Sequence, residues 1–147
     1  MLGMVLEHRF VDQGLLRRAL THASWANEHV PCLDQEALAF VGDAALGLVV
    51  AERLFREDSQ APVGVLTPTR AAIVSGANLA RWATRLGLGN LVELGRGEEL
   101  TGGRTRESIL ATTLEAVLGV IYLEAGLGAV ARAVVKLGEA PESRMVG

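Results

Sequence analysis

Apolar residues recur at helical spacing along much of the chain, and this pattern predicts a domain built from helices. Residues 11–21 repeat apolar positions at intervals of three and four, and a longer apolar pattern runs from Asp34 to about Arg56. Asp34 is placed to cap this second helix, with Glu36 in its first turn, where a negative charge suits the helix dipole. The chain contains no persuasive strand. We therefore expect an all-α fold.

The second half of the chain predicts further helices on either side of a glycine-rich stretch. Helical patterning resumes from about 66 to 86, with Pro68 expected in the first turn. Residues 86–106 are rich in glycine and too irregular for a helix. A helix over about 107–125 should end at Gly126, because glycine is a favoured C-terminal stop. One more helix is expected after it.

Composition and charge narrow the class of protein. With 147 residues, half of them hydrophobic and only 4% aromatic, the chain can bury one aliphatic, alanine-rich core. A net charge of −3 argues against coating nucleic acid or membrane by charge alone. Cys32 is the single cysteine, which excludes an intramolecular disulfide and fits a cytoplasmic protein. The apolar runs 37–51 and 109–123 are each too short to span a membrane and predict core helices.

Each of these two apolar runs contains a carboxylate. Asp43 directly follows Gly42 in the first run, and Glu115 stands among aliphatic residues in the second. Burying a lone carboxylate is costly unless another group pairs with it. Two such acids on two apolar helices indicate a shared site.

Four segments make a more specific pattern, in this order: A-L-T-H-A-S-W-A-N-E-H (19–29), E-A-L-A-F-V-G-D-A-A-L-G-L-V (36–49), G-R-G-E-E-L-T-G-G-R-T-R-E-S-I-L-A (95–111) and L-E-A-V-L-G-V-I-Y-L-E-A-G (114–126). In order and spacing they resemble the ribonuclease III family, from about residue 5 to residue 138. The segment around Asp43 is similar to the family signature N-E-R-L-E-F-L-G-D. The resemblance implies an all-α endonuclease domain that forms a helical dimer and cleaves double-stranded RNA with Mg²⁺.

The resemblance also implies a metal site of four acids, two from each of two helices. Spacings of i, i+4 and i, i+3 place each pair on one helix face. Asp43 and Glu115 match two of the four and are the expected catalytic and metal-binding residues. Ala39 and Thr112 stand where the family carries the other two acids, and Val63 stands where a further acid is common. We therefore expect Mg²⁺ or Mn²⁺ to bind weakly, if at all, and hydrolysis to be weak or lost.

Three further residues are candidates for contacts with RNA or with a second subunit. Arg104 and Arg106 follow two glycines and would suit RNA phosphates, although a tight loop before the next helix explains them equally well. Phe40 lies beside the dimer contact that the resemblance implies, and the alternative for it is an aromatic of the core. His22 is expected to be a hydrogen-bonded structural histidine, since the chemistry of the family depends on metal.

Two functions remain open at this stage. One is a minimal ribonuclease III-like protein acting on double-stranded or structured RNA, including ribosomal RNA precursors. The other is a non-catalytic RNA-binding or dimerisation partner, a pseudoenzyme that associates with ribosomes or with an active paralogue. A homodimer is expected, with a heterodimer as the alternative, and no membrane partner. Residues 1–138 form the predicted domain and 139–147 a tail, with no double-stranded RNA-binding domain expected.

Overall fold

The computed structural model describes residues 1–139, and the fold of these residues is helical, as predicted. Their only β-type pairing is an isolated parallel bridge between Thr21 and Glu93. A 3-10 turn, Gly103–Thr105, precedes the last helix. The helices are α1 (Leu2–Val5), α2 (Gln13–Ala19), α3 (Ala23–Glu28), α4 (Glu36–Glu57), α5 (Val63–Ile73), α6 (Gly76–Arg85), α7 (Leu88–Leu91), α8 (Arg96–Leu100) and α9 (Glu107–Gly138).

Helices α4 and α9 cross at the centre of the domain, and their backbones touch there. A Cβ atom added to Gly42 would lie 1.7 Å from the carbonyl oxygen of Glu115. A Cβ atom added to Gly119 would lie 2.2 Å from the carbonyl oxygen of Leu38. Only glycine allows two helix backbones to come this close. The crossing therefore determines where the side chains next to it can lie.

A buried polar link holds the start of α4. The N-cap of α4 is Gln35 and not Asp34, so the predicted cap was one residue off. Asp34 accepts a hydrogen bond from the Glu36 N–H at 2.9 Å from the position before the cap. The fully buried Gln35 side chain donates from Nε2 to the Ala19 carbonyl at 2.7 Å and to Thr113 Oγ1 at 3.2 Å. These bonds join α4 to the end of α2 and to α9. No local pattern in the sequence indicates this link.

The helix expected over 66–86 is two helices, α5 and α6. Pro68 lies in the middle of α5 rather than in its first turn, so that prediction was wrong. Helix α6 has its own start, because Ser75 Oγ accepts a hydrogen bond from the Asn78 N–H at 3.2 Å. A serine in this position is a strong N-cap, and it separates the two helices.

Helix α9 consists of two helical segments that meet at Gly126. The backbone of Gly126 is not helical, with φ 81° and ψ −173°, and a second segment runs from there to Gly138. The predicted stop at Gly126 and the further helix after it are therefore confirmed. By length and composition alone, the whole of Glu107–Gly138 could cross a membrane. Half of its most apolar 18-residue stretch is buried inside the domain, which agrees with the predicted core helix. Of the predicted tail, residues 140–147 lie outside the described residues.

The glycine-rich stretch 86–106 is more regular than predicted. It contains α7, α8 and the 3-10 turn Gly103–Thr105. Two glycines, Gly87 and Gly102, have positive φ values of 73° and 81° and allow the chain to turn between these short elements. The irregular composition thus reflects closely spaced turns between short helices.

Candidate active site

The crossing of α4 and α9 brings Asp43 and Glu115 together. Gly42, beside Asp43, packs directly on the backbone of Glu115. The two carboxyl groups share a hydrogen bond, and Asp43 is exposed while Glu115 is half-buried. Gly42 is therefore required before Asp43, because a larger residue would hold α4 and α9 apart and keep the two acids from meeting. The shared location predicted for this pair is observed.

Burial and the neighbouring acid change the protonation of Glu115. Partial burial is the largest cause, followed by the hydrogen bond that protonated Glu115 donates to Asp43 and by the repulsion between the two charges. Together they raise the pKa of Glu115 to about 8. At neutral pH the pair therefore holds one proton between two carboxyl groups. A metal ion that uses both carboxylates must first displace this proton.

The positions one turn before the two acids carry no carboxylate. Ala39 precedes Asp43 by four residues and is only 6% exposed, and Thr112 precedes Glu115 by three residues and is half-buried. Among the residues that the structure describes, no group of three or more histidine, cysteine, aspartate or glutamate side chains is arranged to hold a metal ion. Two carboxyl groups and the Thr112 hydroxyl do not make a complete site for a hard divalent cation.

The two candidate RNA-binding arginines are used within the glycine-rich loop. Arg104 forms a bidentate pair with Glu99 at 2.8 and 2.5 Å, and its remaining terminal nitrogen donates to the carbonyls of Gly89 and Val92. Arg106 pairs with Glu98 and also donates to the Thr101 carbonyl at 2.8 Å. These contacts hold α7, α8 and the 3-10 turn together. They favour the alternative in which the two arginines stabilise a tight loop before α9. RNA binding by either arginine stays a prediction.

Phe40 lies at the surface and not in the core. Its side chain is 80% exposed, one turn from Ala44 on the outer face of α4. Beside it is a cavity of about 290 Å³, lined by Phe40, Val41, Ala44, Ala45, Leu48, Tyr122 and Leu127. The alternative of a core aromatic is therefore wrong.

His22 has a structural role. It is the N-cap of α3, where its Nδ1 accepts a hydrogen bond from the Ser24 N–H at 3.1 Å. Ser24 Oγ in turn accepts from the Gly95 N–H at 2.8 Å, which ties α3 to the start of α8. His22 therefore has the structural role that was expected for it, and these contacts do not involve the carboxyl pair.

The raised pKa of Glu115 predicts how the stability of the domain depends on pH. The free carboxyl group titrates near 4.5, so between pH 4.5 and about 8 the folded state holds one more proton than the unfolded state. The free energy of unfolding should therefore fall as pH rises through this window. The Glu115→Gln variant should lose this part of the dependence, which urea unfolding at a series of pH values will measure. Equal pH slopes for parent and variant would contradict the shift.

The fold is that of a ribonuclease III nuclease domain. A solved nuclease domain of ribonuclease III from Campylobacter jejuni superposes with a TM-score of 0.86 at 38% identity, over 92% of each chain. A family profile described as Ribonuclease-III-like matches residues 12–138. The chain therefore belongs to the ribonuclease-III-like family.

Full-length relatives are similar over most of this chain. Ribonuclease 3 of Geobacter metallireducens is 48% identical over 130 residues, which is 86% of this chain and 53% of that protein. Ribonuclease 3 of Streptomyces coelicolor is 48% identical over 127 residues, which is 86% of this chain and 46% of that protein. The chain spans about half the length of these curated relatives.

Proposed function

We propose that this chain is a ribonuclease III-type domain that acts on double-stranded or structured RNA, including ribosomal RNA precursors, with metal-dependent hydrolysis weak or lost. The observation that carries this proposal is the pair of Asp43 and Glu115 at the helix crossing, with Ala39 and Thr112 one turn away. The family fold supports action on RNA. The incomplete set of acids supports weak hydrolysis.

Electrostatics explains why two missing acids matter. A unit charge pair 4 Å apart contributes about 4 kcal/mol at an effective dielectric constant of 20, and a dication doubles this before desolvation is subtracted. Ala39 contributes no ligand, and a hydroxyl such as that of Thr112 carries no charge. Asp43 and Glu115 are the residues that would hold Mg²⁺ or Mn²⁺, and they would hold it weakly.

A titration of Mg²⁺ and Mn²⁺ against labelled duplex RNA tests this proposal. We expect the purified protein to bind the duplex and to cleave it slowly or not at all, even at millimolar metal. The Asp43→Asn variant is the matched control, because residual cleavage should disappear while binding is kept. Rapid cleavage by the parent at physiological Mg²⁺ would refute the loss of hydrolysis.

The second candidate is a non-catalytic RNA-binding or dimerisation partner, associated with ribosomes or with an active paralogue. The same two replacements, Ala39 and Thr112, favour it. The same titration separates the two candidates, since a pure partner shows binding without any metal-dependent cleavage. Mixing the chain with an active paralogue then distinguishes a heterodimer from a homodimer.

We also infer that the chain forms a dimer through the outer face of α4. Phe40 projects beside the apolar cavity that Ala44, Leu48, Tyr122 and Leu127 line, so one patch offers both a projecting ring and a recess. A patch of this kind can pair with its own copy about a two-fold axis. The Campylobacter jejuni nuclease domain likewise has a region involved in dimer formation.

Light scattering should report a dimer at tens of micromolar protein. The Phe40→Glu variant should be a monomer, because it would place a charge in the apolar recess of the partner. The protein should remain helical by circular dichroism, since Phe40 is 80% exposed in the isolated subunit. A monomeric parent protein would count against the dimer.

A further inference from the structure

Two aromatic rings are stacked at the surface, at the end of α3. The rings of Trp25 and His29 are nearly parallel, with their centroids 3.9 Å apart and an angle of 13° between their planes. A hydrogen bond of 2.9 Å from His29 Nδ1 to the Trp25 carbonyl holds the imidazole in this orientation. His29 is exposed, and within residues 1–139 its ring contacts no ring other than that of Trp25. One face of the imidazole is therefore covered by Trp25, and the other is open to solvent.

The position of this stack differs from that of the other tryptophan. Trp82 is buried in α6 with 6% of its surface exposed, whereas Trp25 is half-buried beside an exposed loop. Within that loop, Val30 and Leu33 are 79% and 67% exposed. An open aromatic face at a protein surface suits the face of a nucleobase, and any of the four bases can stack on it.

Two guanidinium groups lie at the two ends of this surface. The Arg96 N–H donates to Glu28 Oε2 at 2.8 Å, which places Arg96 beside the residue that precedes His29. At the other end of the loop, Arg18 Nε donates to the Asp34 carbonyl at 2.9 Å. Neither guanidinium forms an ion pair with another of the described residues, and the Glu28 and Asp34 carboxylates accept bonds from backbone N–H groups. Both arginines therefore remain available for phosphate oxygens.

The stack lies in the same part of the molecule as the carboxyl pair. The Gln35 N–H donates to the Thr21 carbonyl at 2.9 Å, so the turn that leads into α3 lies at the start of α4. Asp43 follows Gln35 by eight residues, which is about 12 Å along the axis of α4. An RNA strand bound at the carboxyl pair therefore needs few further nucleotides to reach the stack.

We propose that His29 and Trp25 form a platform on which one unpaired base of the RNA stacks, between phosphates bound by Arg18 and Arg96. This proposal rests on the proposed function, and it names the feature of a structured RNA that the chain recognises. Bases inside a duplex are already stacked on their neighbours, whereas an unpaired base in a bulge or loop can be splayed out onto an aromatic side chain. The chain should therefore prefer a duplex interrupted by an unpaired nucleotide to an uninterrupted duplex.

Two RNA duplexes of equal length test the platform, one of them with a single bulged 2-aminopurine nucleotide. Both are titrated with the purified protein in EDTA, which prevents metal-dependent cleavage. We expect the bulged duplex to bind at least about fivefold more tightly in fluorescence anisotropy, and the 2-aminopurine fluorescence to be quenched by stacking. Equal affinities without quenching would overturn the platform and leave the proposed function intact. A protein that binds neither RNA would overturn both.

Variants of His29 locate the effect at the stack. His29→Ala should lose the preference for the bulged duplex and bind the uninterrupted duplex as the parent does. His29→Phe is the matched control, because it keeps an aromatic ring and should keep the preference. Circular dichroism should show that both variants remain helical, since His29 is exposed. A His29→Ala protein that still prefers the bulged duplex would overturn the platform.

The phosphate contact is tested separately with Arg96→Gln, which leaves the backbone bond to Glu28 in place. For the bulged duplex, the slope of log K against log salt concentration should fall by about one in magnitude, as expected when one phosphate contact is lost. Arg132→Gln is the matched control, because Arg132 is an exposed arginine in the last segment of α9. That variant should keep the slope of the parent. An unchanged slope for Arg96→Gln would overturn the phosphate contact of Arg96.

Discussion

Alanine in place of Gly42 is expected to lower the free energy of unfolding by about 3 kcal/mol or more, which is a large part of the stability of a domain of this size. The new Cβ atom would lie 1.7 Å from the carbonyl oxygen of Glu115 and 2.9 Å from the amide nitrogen of Gly119. Both neighbours are backbone atoms in the middle of α9, so neither can move aside without shifting the helix. The two central helices would have to separate, and the core between them would lose contacts.

Urea unfolding followed by circular dichroism, at one fixed protein concentration, measures this effect. Gly128→Ala is the matched control, because Gly128 lies within α9 and a new Cβ atom there would lie 3.7 Å from the flexible Arg132 guanidinium. That change should stabilise the protein by up to about 1 kcal/mol through helix propensity. A Gly42→Ala protein as stable as its parent would mean that the two backbones do not touch at this crossing.

Much of the site could be predicted from the chain because it depends on local spacing. Asp43 and Glu115 each stand alone in an apolar helix, and the cost of burying an unpaired carboxylate indicates that they meet. The absence of acids at Ala39 and Thr112 is equally visible in the sequence. Which of the two carboxyl groups keeps the proton depends on burial, and only the structure shows that Glu115 is the more buried one.

The features that were missed depend on contacts between distant residues. Gln35 and Thr113 are 78 positions apart, and nothing local indicates that their side chains meet in the core. The short helices of the glycine-rich stretch are held by Arg104, whose partners Gly89 and Val92 lie well before it. The break before α6 is different, because Ser75 is a recognisable N-cap and its position in the sequence is enough to predict the start of a new helix.

Restoring the two missing acids should create metal-dependent stability and cleavage. In the variant that combines Ala39→Glu with Thr112→Asp, each new carboxylate lies one turn before an existing acid, on the same helix face. Without metal, the variant should be modestly less stable than the parent, because four clustered carboxylates repel one another. When Mg²⁺ is about a hundredfold above its Kd, the melting temperature should rise by roughly 5–10 °C, since the ion binds only the folded state.

The neutral pair Ala39→Gln with Thr112→Asn is the matched control, with side chains of the same size and no added charge. Its melting temperature should not respond to Mg²⁺, and it should cleave duplex RNA no faster than the parent. The charged variant should cleave measurably in Mg²⁺, because Gly42 and Gly119 already hold α4 and α9 at contact distance. If the charged variant folds but gains neither metal-dependent stability nor cleavage, the two replaced acids do not account for weak hydrolysis, and the crossing serves a purpose other than cutting RNA.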